Sequence, residues 1–294
     1  MTCFTSSDSW TILSSIEARI KQKIEAAGIR LKDWNVQINR GILTGCNEAF
    51  IISGDKRNEL ISQDPKSAEI IRPILRGRDI KRYSSSFADL WLINVHNGVR
   101  DKKMPRINVE DYPAIKEHLD EYSAKLVKRA DKGDTPYNLR NCAYMDDFSK
   151  QKIVYAETMR VHKNGKADRF PRFSFIAEET FLDKTCFMIT GERLLYILPI
   201  INSSLMQYHI QRNIAVLDTG GFLMQKIYVE DFPIPQVEDE SYSTLTELAT
   251  EILTKRAIGE DTRELEELVD MQVYALFNLT DEEIRYIEAG RIGR

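Results

Sequence analysis

The sequence holds only four cysteines, Cys3, Cys46, Cys142 and Cys186, and no two of them form a C-x-x-C pair. That spacing excludes a zinc ribbon and gives no disulfide framework. Histidine is equally sparse: His96, His118, His162 and His209 are scattered and make no H-x-x-x-H pattern, which argues against a metal site or a catalytic triad built on them. Long apolar runs are missing too. Nothing approaches the roughly 18 consecutive apolar residues of a membrane span, and the opening MTCFTSSDSW lacks a basic region followed by an apolar stretch. A reducing cytoplasm with no membrane partner is the expectation, and the sequons at Asn202 and Asn278 then carry no meaning.

Several catalytic signatures are absent. No G-x-G-x-x-G and no P-loop occur, so no strand-turn-helix is equipped to hold a dinucleotide, a methyl donor or a triphosphate. Enzymes that methylate the adenine amino group carry an Asn/Asp-Pro-Pro-Tyr/Phe loop; Asp134-Thr135-Pro136-Tyr137 has one proline too few and reads as a turn. Asp101-Lys102-Lys103 resembles a fragment of a nuclease site without a partner acid. The acid pairs Glu110-Asp111, Asp120-Glu121, Asp146-Asp147 and Glu178-Glu179 are adjacent residues, whose side chains diverge from either a strand or a helix. No catalytic residue and no metal ligand is assigned.

What is present is a well-mixed chain of 294 residues, 43% hydrophobic and 29% charged, without low-complexity tracts or a repeat. That length suits one large or two ordinary domains. Ile12, Ile16, Ile20 and Ile24 predict an amphipathic helix closed at Gly28. Val36 to Ile52 reads as strand, turn, strand, with Thr44-Gly45-Cys46-Asn47 as the turn. Asp64-Pro65 opens a short helix through Ile70 and Ile71 that Pro73 restricts, and strands follow over 80–83 and 90–95. A helix is expected over 111–129 with Ile115, Leu119, Tyr122 and Leu126 on one face. Strands are predicted over 152–157, 173–176, 185–190 and 222–229, with a buried helix over 194–210 that Pro199 kinks or starts. Phe232-Pro233-Ile234-Pro235 marks a boundary before two helices and a last one opened by a Thr280 to Glu283 capping box. The expected architecture is α+β: an N-terminal helix and linker (1–34), a mixed β-sheet recognition body with flanking helices (35–235), and a C-terminal helical hairpin (236–294).

The net charge of −4 conceals a split. Residues 231–294 carry 16 acids and 6 bases, whereas residues 1–230 carry 29 acids and 35 bases. A basic body with an acidic helical appendage is one reading; a Glu-rich helical surface is the other. Basic residues gather twice. Arg72, Arg76, Arg78, Lys81 and Arg82 surround Gly77 against Asp79 alone, and Lys150, Lys152, Arg160, Lys163, Lys166, Arg169 and Arg172 surround Asn164-Gly165 against Glu157 and Asp168. Tyr155, Phe170 and Phe173 lie among them, either for base stacking or as core. Loops of this composition supply phosphate contacts and base-edge donors.

The run Arg40-Gly41-Ile42-Leu43-Thr44-Gly45-Cys46-Asn47-Glu48-Ala49-Phe50-Ile51-Ile52, then Ile70-Ile71-Arg72-Pro73-Ile74-Leu75-Arg76-Gly77-Arg78-Asp79-Ile80-Lys81-Arg82-Tyr83, resembles the opening of the TaqI-like C-terminal specificity domain. That family provides target recognition in adenine-specific DNA methyltransferases and fused type II restriction-modification enzymes. The likeness continues through Leu139-Arg140, Lys152 to Tyr155, Leu198 to Leu205 with Asn202-Ser203-Ser204, and Phe232 to Pro235. It implies a module that grips double-stranded DNA beside a methyltransferase domain or subunit and selects the site where an adenine is flipped out. S-adenosylmethionine would then belong to the catalytic part, with no cofactor on this chain. On that resemblance Arg76, Arg78, Lys81 and Arg82 are assigned to phosphates, and Arg160, Lys163, Asn164, Lys166, Arg169 and Arg172 to base reading. The family's methyltransferase domain precedes this one, and here only about 35 residues do. Two other readings stay open: a protein-protein interaction domain whose basic loops are incidental, and a self-contained nuclease.

Overall fold

The computed structural model describes residues 13–161, 169–218, 220–237 and 240–291. Helix α1 (Ser15–Ala27) opens with a capping box, Ser14 against Glu17, and buries Ile20 and Ile24; Ile12 of the predicted stripe lies outside the described residues. Gly28 caps the helix as expected but with extended backbone, φ −87°. What requires glycine there is a neighbour: an added Cβ would stand 2.3 Å from the Pro233 side chain. That contact exists because β1 (Gly28–Arg30) pairs antiparallel with the 233–235 segment.

Strand β2 (Val36–Arg40) is followed by a one-turn helix α2 (Asn47–Phe50), β3 (Ile51–Ser53), α3 (Gly54–Gln63) and a 3-10 turn over Pro65–Glu69 capped by Asp64. Pro73, expected to limit a helix, sits within β4 (Ile71–Leu75). The short β5 (Ile80–Lys81) and β6 (Ser84–Ser85) precede β7 (Leu90–Ile93). The helix predicted over 111–129 forms as two pieces, α4 (Pro113–Asp120) and α5 (Ser123–Lys128), with Ile115, Leu119 and Leu126 fully buried. Then come β8 (Lys152–Ala156), β9 (Thr158–Arg160), β10 (Phe173–Ile176), β11 (Phe181–Leu182) and β12 (Cys186–Gly191). The long apolar helix divides into α6 (Leu194–Asn202) and α7 (Ser204–Asn213), and the break falls at Ser203, whose hydroxyl caps Met206 N–H, with Pro199 inside α6. The hairpin β13 (Val216–Leu217) and β14 (Gly221–Leu223) leads to a turn of helix, α8 (Lys226–Val229), where a strand was expected, and to β15 (Pro233–Pro235). Three helices finish the chain: α9 (Glu240–Ala257), α10 (Arg263–Leu276) and α11 (Asp281–Ala289), the last with the predicted Thr280/Glu283 box.

The fold is α+β. Its centre is a four-stranded sheet in the order β10-β8-β12-β2, antiparallel throughout. Side chains alternate across a strand, and here both faces are buried. Phe187 and Ile189 of β12 and Ile153 and Tyr155 of β8 join a core with α1, α6, α7 and α9 to α11. Cys186, Met188 and Val154 join a second core with the β11-β4-β7-β3 sheet and α3 to α5. A wall between two cores explains why residues 186–190 are an unbroken buried run rather than an alternating one. The segments at 1–34 and 236–294, set apart in the sequence, share the first core with residues from the central body, and Phe232 and Ile234 of the boundary run are fully buried in it. β2 and β3, expected as strand, turn, strand, belong to different sheets.

Candidate nucleic-acid interface

The antiparallel registers bring four chain segments to one end of the central sheet. Arg40 of β2 is opposite Phe187, Cys186 of β12 is opposite Ala156 of β8, and Tyr155 is opposite Phe173 of β10. Residues 40, 156–157, 172 and 184–185 therefore leave the sheet together. The Gly77 loop, a 3-10 turn over Gly77–Asp79, docks on the same end: Gly77 N–H donates to Thr185 Oγ1 (3.2 Å). β9 starts there as well and pairs with β14, which pairs with β13. The two basic clusters, Arg72 to Arg82 and Lys150 to Arg172, thus meet at one rim.

Within the first cluster the roles separate. Arg78 is exposed, and Lys81 Nζ donates to the Arg78 carbonyl (3.1 Å), which keeps its ammonium beside it. Arg76 is held by a two-pronged pair with Asp79, Nε to Oδ2 at 2.9 Å and Nη2 to Oδ1 at 3.0 Å. Donating to Asp79 raises its already high pKa, and the pair fixes the loop. Arg82 does not belong to the rim. Its side chain is 2% exposed, Nε donates to Glu266 Oε2 (2.5 Å), and Nη1 donates to the carbonyls of Pro171 (3.2 Å) and Asn202. A guanidinium so enclosed cannot reach a phosphate, and the assignment of Arg82 to phosphate binding is withdrawn.

The second cluster divides the same way. Arg160, on β9, is exposed, and its carbonyl accepts from Arg172 Nη2 (2.8 Å). Arg169 is 22% exposed, with Nη1 3.9 Å from Glu266, so it leans toward the buried carboxylate. Lys163, Asn164 and Lys166 lie outside the described residues. Lys152 is fully buried, its ammonium shared by the carbonyls of Phe148 (2.9 Å), Lys150 (2.8 Å) and Glu178 (3.0 Å), and burial pulls its pKa down to about 8. Tyr155, Phe170 and Phe173 are core residues at 0–3% exposure, packed ring on ring, and are not stacking platforms for bases.

Glu266 is the anchor beneath this rim. It is fully buried and accepts from Arg82, Arg256 Nη2 (2.9 Å) and Thr262 Oγ1 (2.8 Å). Burial alone would push its carboxyl up, but Arg82, together with the hydrogen bonds from Thr262 and Arg256, more than offsets that and holds it at about 2. The Asn202-Ser203-Ser204 run explains itself next to it. Asn202 Oδ1 accepts from Phe173 N–H and its amide donates to the Phe173 carbonyl (3.0 Å each), closing the outer edge of β10. Ser204 donates its N–H (2.7 Å) and hydroxyl (2.5 Å) to Asp270 of α10.

Sequence reasoning missed two contributors to the rim. Arg40, 48% exposed, pairs with Glu157 (2.7 Å) and donates to the Lys184 carbonyl (2.7 Å), and Lys184 itself is exposed. Neither sits in a basic run, so only the strand register could reveal them. Among the described residues no group of three or more His, Cys, Asp or Glu could hold a metal ion, and no helix is long and apolar enough to cross a membrane.

The fold is shared with known enzymes. A solved structure of the type IIL restriction-modification enzyme MmeI in complex with DNA superposes with a TM-score of 0.65 at 14% identity, covering 85% of this chain and 34% of that one. The type IIG restriction endonuclease BpuSI gives a TM-score of 0.51 at 15% identity, over 89% of this chain and 33% of that one. The chain spans about a third of the length of each. At these identities the likeness is one of fold. No protein-family model matches the chain.

Proposed function

We propose that this chain is the DNA target-recognition module of a restriction-modification adenine methyltransferase, of the TaqI-like specificity type, and positions a separate catalytic domain on its site. The observation that carries the proposal is the meeting of two basic clusters on one rim. Arg78, Lys81, Arg160, Arg172, Arg40 and Lys184 come from five stretches of the chain, and among the described residues beside them Asp79 is engaged by Arg76 and Glu157 by Arg40. Such a rim suits a phosphate backbone. The fold, found as part of two much larger restriction enzymes, supports the same reading.

In this reading Arg78 and Lys81 hold phosphates and Arg76 shapes the loop that presents them. Arg160 and Arg172 read base edges, with Lys163, Asn164 and Lys166 assigned to the same task by sequence. S-adenosylmethionine belongs to the catalytic domain, whose activity needs this module for choice of site rather than for chemistry. Binding of the full chain to a randomised duplex library across a salt series tests the proposal. Sequence-selective binding that falls steeply with salt is expected; salt-independent binding, or none, would return the chain to the protein-interaction reading.

A further inference from the structure

We infer that the small β9-β14-β13 sheet is the part of this rim that enters a DNA groove, and that Leu217 reads a thymine methyl beside a guanine read by Arg160. The inference rests on the target-recognition reading. Its basis is the pairing register: Leu217 is opposite Gly221, and Gly221 is opposite Arg160. Those three residues form one rung and share one face. Burial along β9 runs exposed, buried, exposed, with Met159 fully buried, so Thr158 and Arg160 stand on the outward face with Leu217.

Glycine in the middle of the rung leaves the face flat. The Arg160 Cγ would lie 3.4 Å from a Cβ at Gly221, so the arginine stem crosses the glycine toward Leu217. Among the described residues the turn of the hairpin is open. Gly220 takes φ +75° with no described atom within 4 Å of its Cβ position; on the edge strand Leu217 is half-buried, and Val216, on the other face with Phe222 and Met159, is 62% exposed. A short edge ribbon that sets a half-buried leucine beside an exposed arginine on a basic rim matches the major groove of duplex DNA. That groove admits a β-ribbon, offers guanine O6 and N7 to a guanidinium, and offers the thymine methyl to an apolar side chain. Asp218, exposed at the turn, adds a carboxylate of the kind that accepts from a cytosine amino group.

The test uses the full chain and the duplex it selects from a randomised library. Replacing thymine by uracil, one position at a time, should weaken wild-type binding about fourfold at one position, the effect of losing one buried methyl. Leu217→Ala should bind the thymine and uracil duplexes equally. Arg160→Ala should lose its guanine preference by about tenfold at a position next to that thymine, while Arg78→Ala weakens all duplexes alike. The inference is overturned if the wild type binds selectively and yet ignores every uracil replacement, or if Leu217→Ala keeps the discrimination. A wild type without any sequence preference overturns the target-recognition reading and this inference together.

Discussion

Two arginine sites a few residues apart behave as opposites. Around Glu266, Arg82 and Arg256 are drawn into the protein and the carboxylate is sealed from water. At the sheet end, Arg78 and Arg160 extend from a turn and a short strand into solvent. Arg82 and Arg169 come from the same basic stretches of sequence as Arg78 and Arg160. What separates them is the partner: a buried cation demands a carboxylate and carbonyls within hydrogen-bond reach, and residues 82 and 169 lie where α10 supplies Glu266. Among the described residues no helix carboxylate pairs with Arg78 or Arg160. The first site holds the C-terminal helices to the body, and the second leaves charge available for a ligand.

The contrast is broken most severely at Arg82. Arg82→Ala leaves Glu266 buried without its main partner and should cost about 3 to 5 kcal/mol, read as a large drop in the urea midpoint. Next comes pH. A carboxyl held at about 2 in the folded protein against an ordinary 4.5 binds its proton more readily when unfolded. The stability it contributes is full above pH 4.5 and is lost as pH falls toward 2, about 3 kcal/mol in all. Acid unfolding of the wild type against Glu266→Gln should differ in that window and converge in slope above it. If both proteins titrate alike, the buried pair is not what holds the helices.

Much of the fold was legible because local rules decided it. The Thr280/Glu283 box, the Asp64 cap and the amphipathic spacing of α1 are short-range features, and each formed where the residues predict. The failures share a different cause. Residues 36–52 look like strand, turn, strand, but the chain crosses from one sheet to another at α2, and nothing local records which distant strand each will join. Phe232 to Pro235 has the proline content of a linker and becomes a buried strand because Gly28 leaves room for Pro233. The basic clusters were legible as clusters only. Whether an arginine faces a phosphate or Glu266 depends on a residue 184 positions away, a distance at which composition is blind.

The smaller effects sharpen the other half of the contrast. Arg160→Ala removes an exposed side chain and should leave stability within about 0.5 kcal/mol, while costing about 1 to 3 kcal/mol of binding on sites with one particular base and little on others. Thermal melting alongside library binding checks both at once. Lys81→Ala should do least. It should weaken every duplex by a similar factor and lower the dependence of log affinity on log salt by about 0.9, the signature of one phosphate contact. Because Lys81 lies beside the Arg78 carbonyl, Arg78→Ala should reproduce that uniform loss. If instead Lys81→Ala changed base preference with the salt slope intact, the Gly77 loop would belong to the reading surface and Arg160 would no longer stand alone in that role.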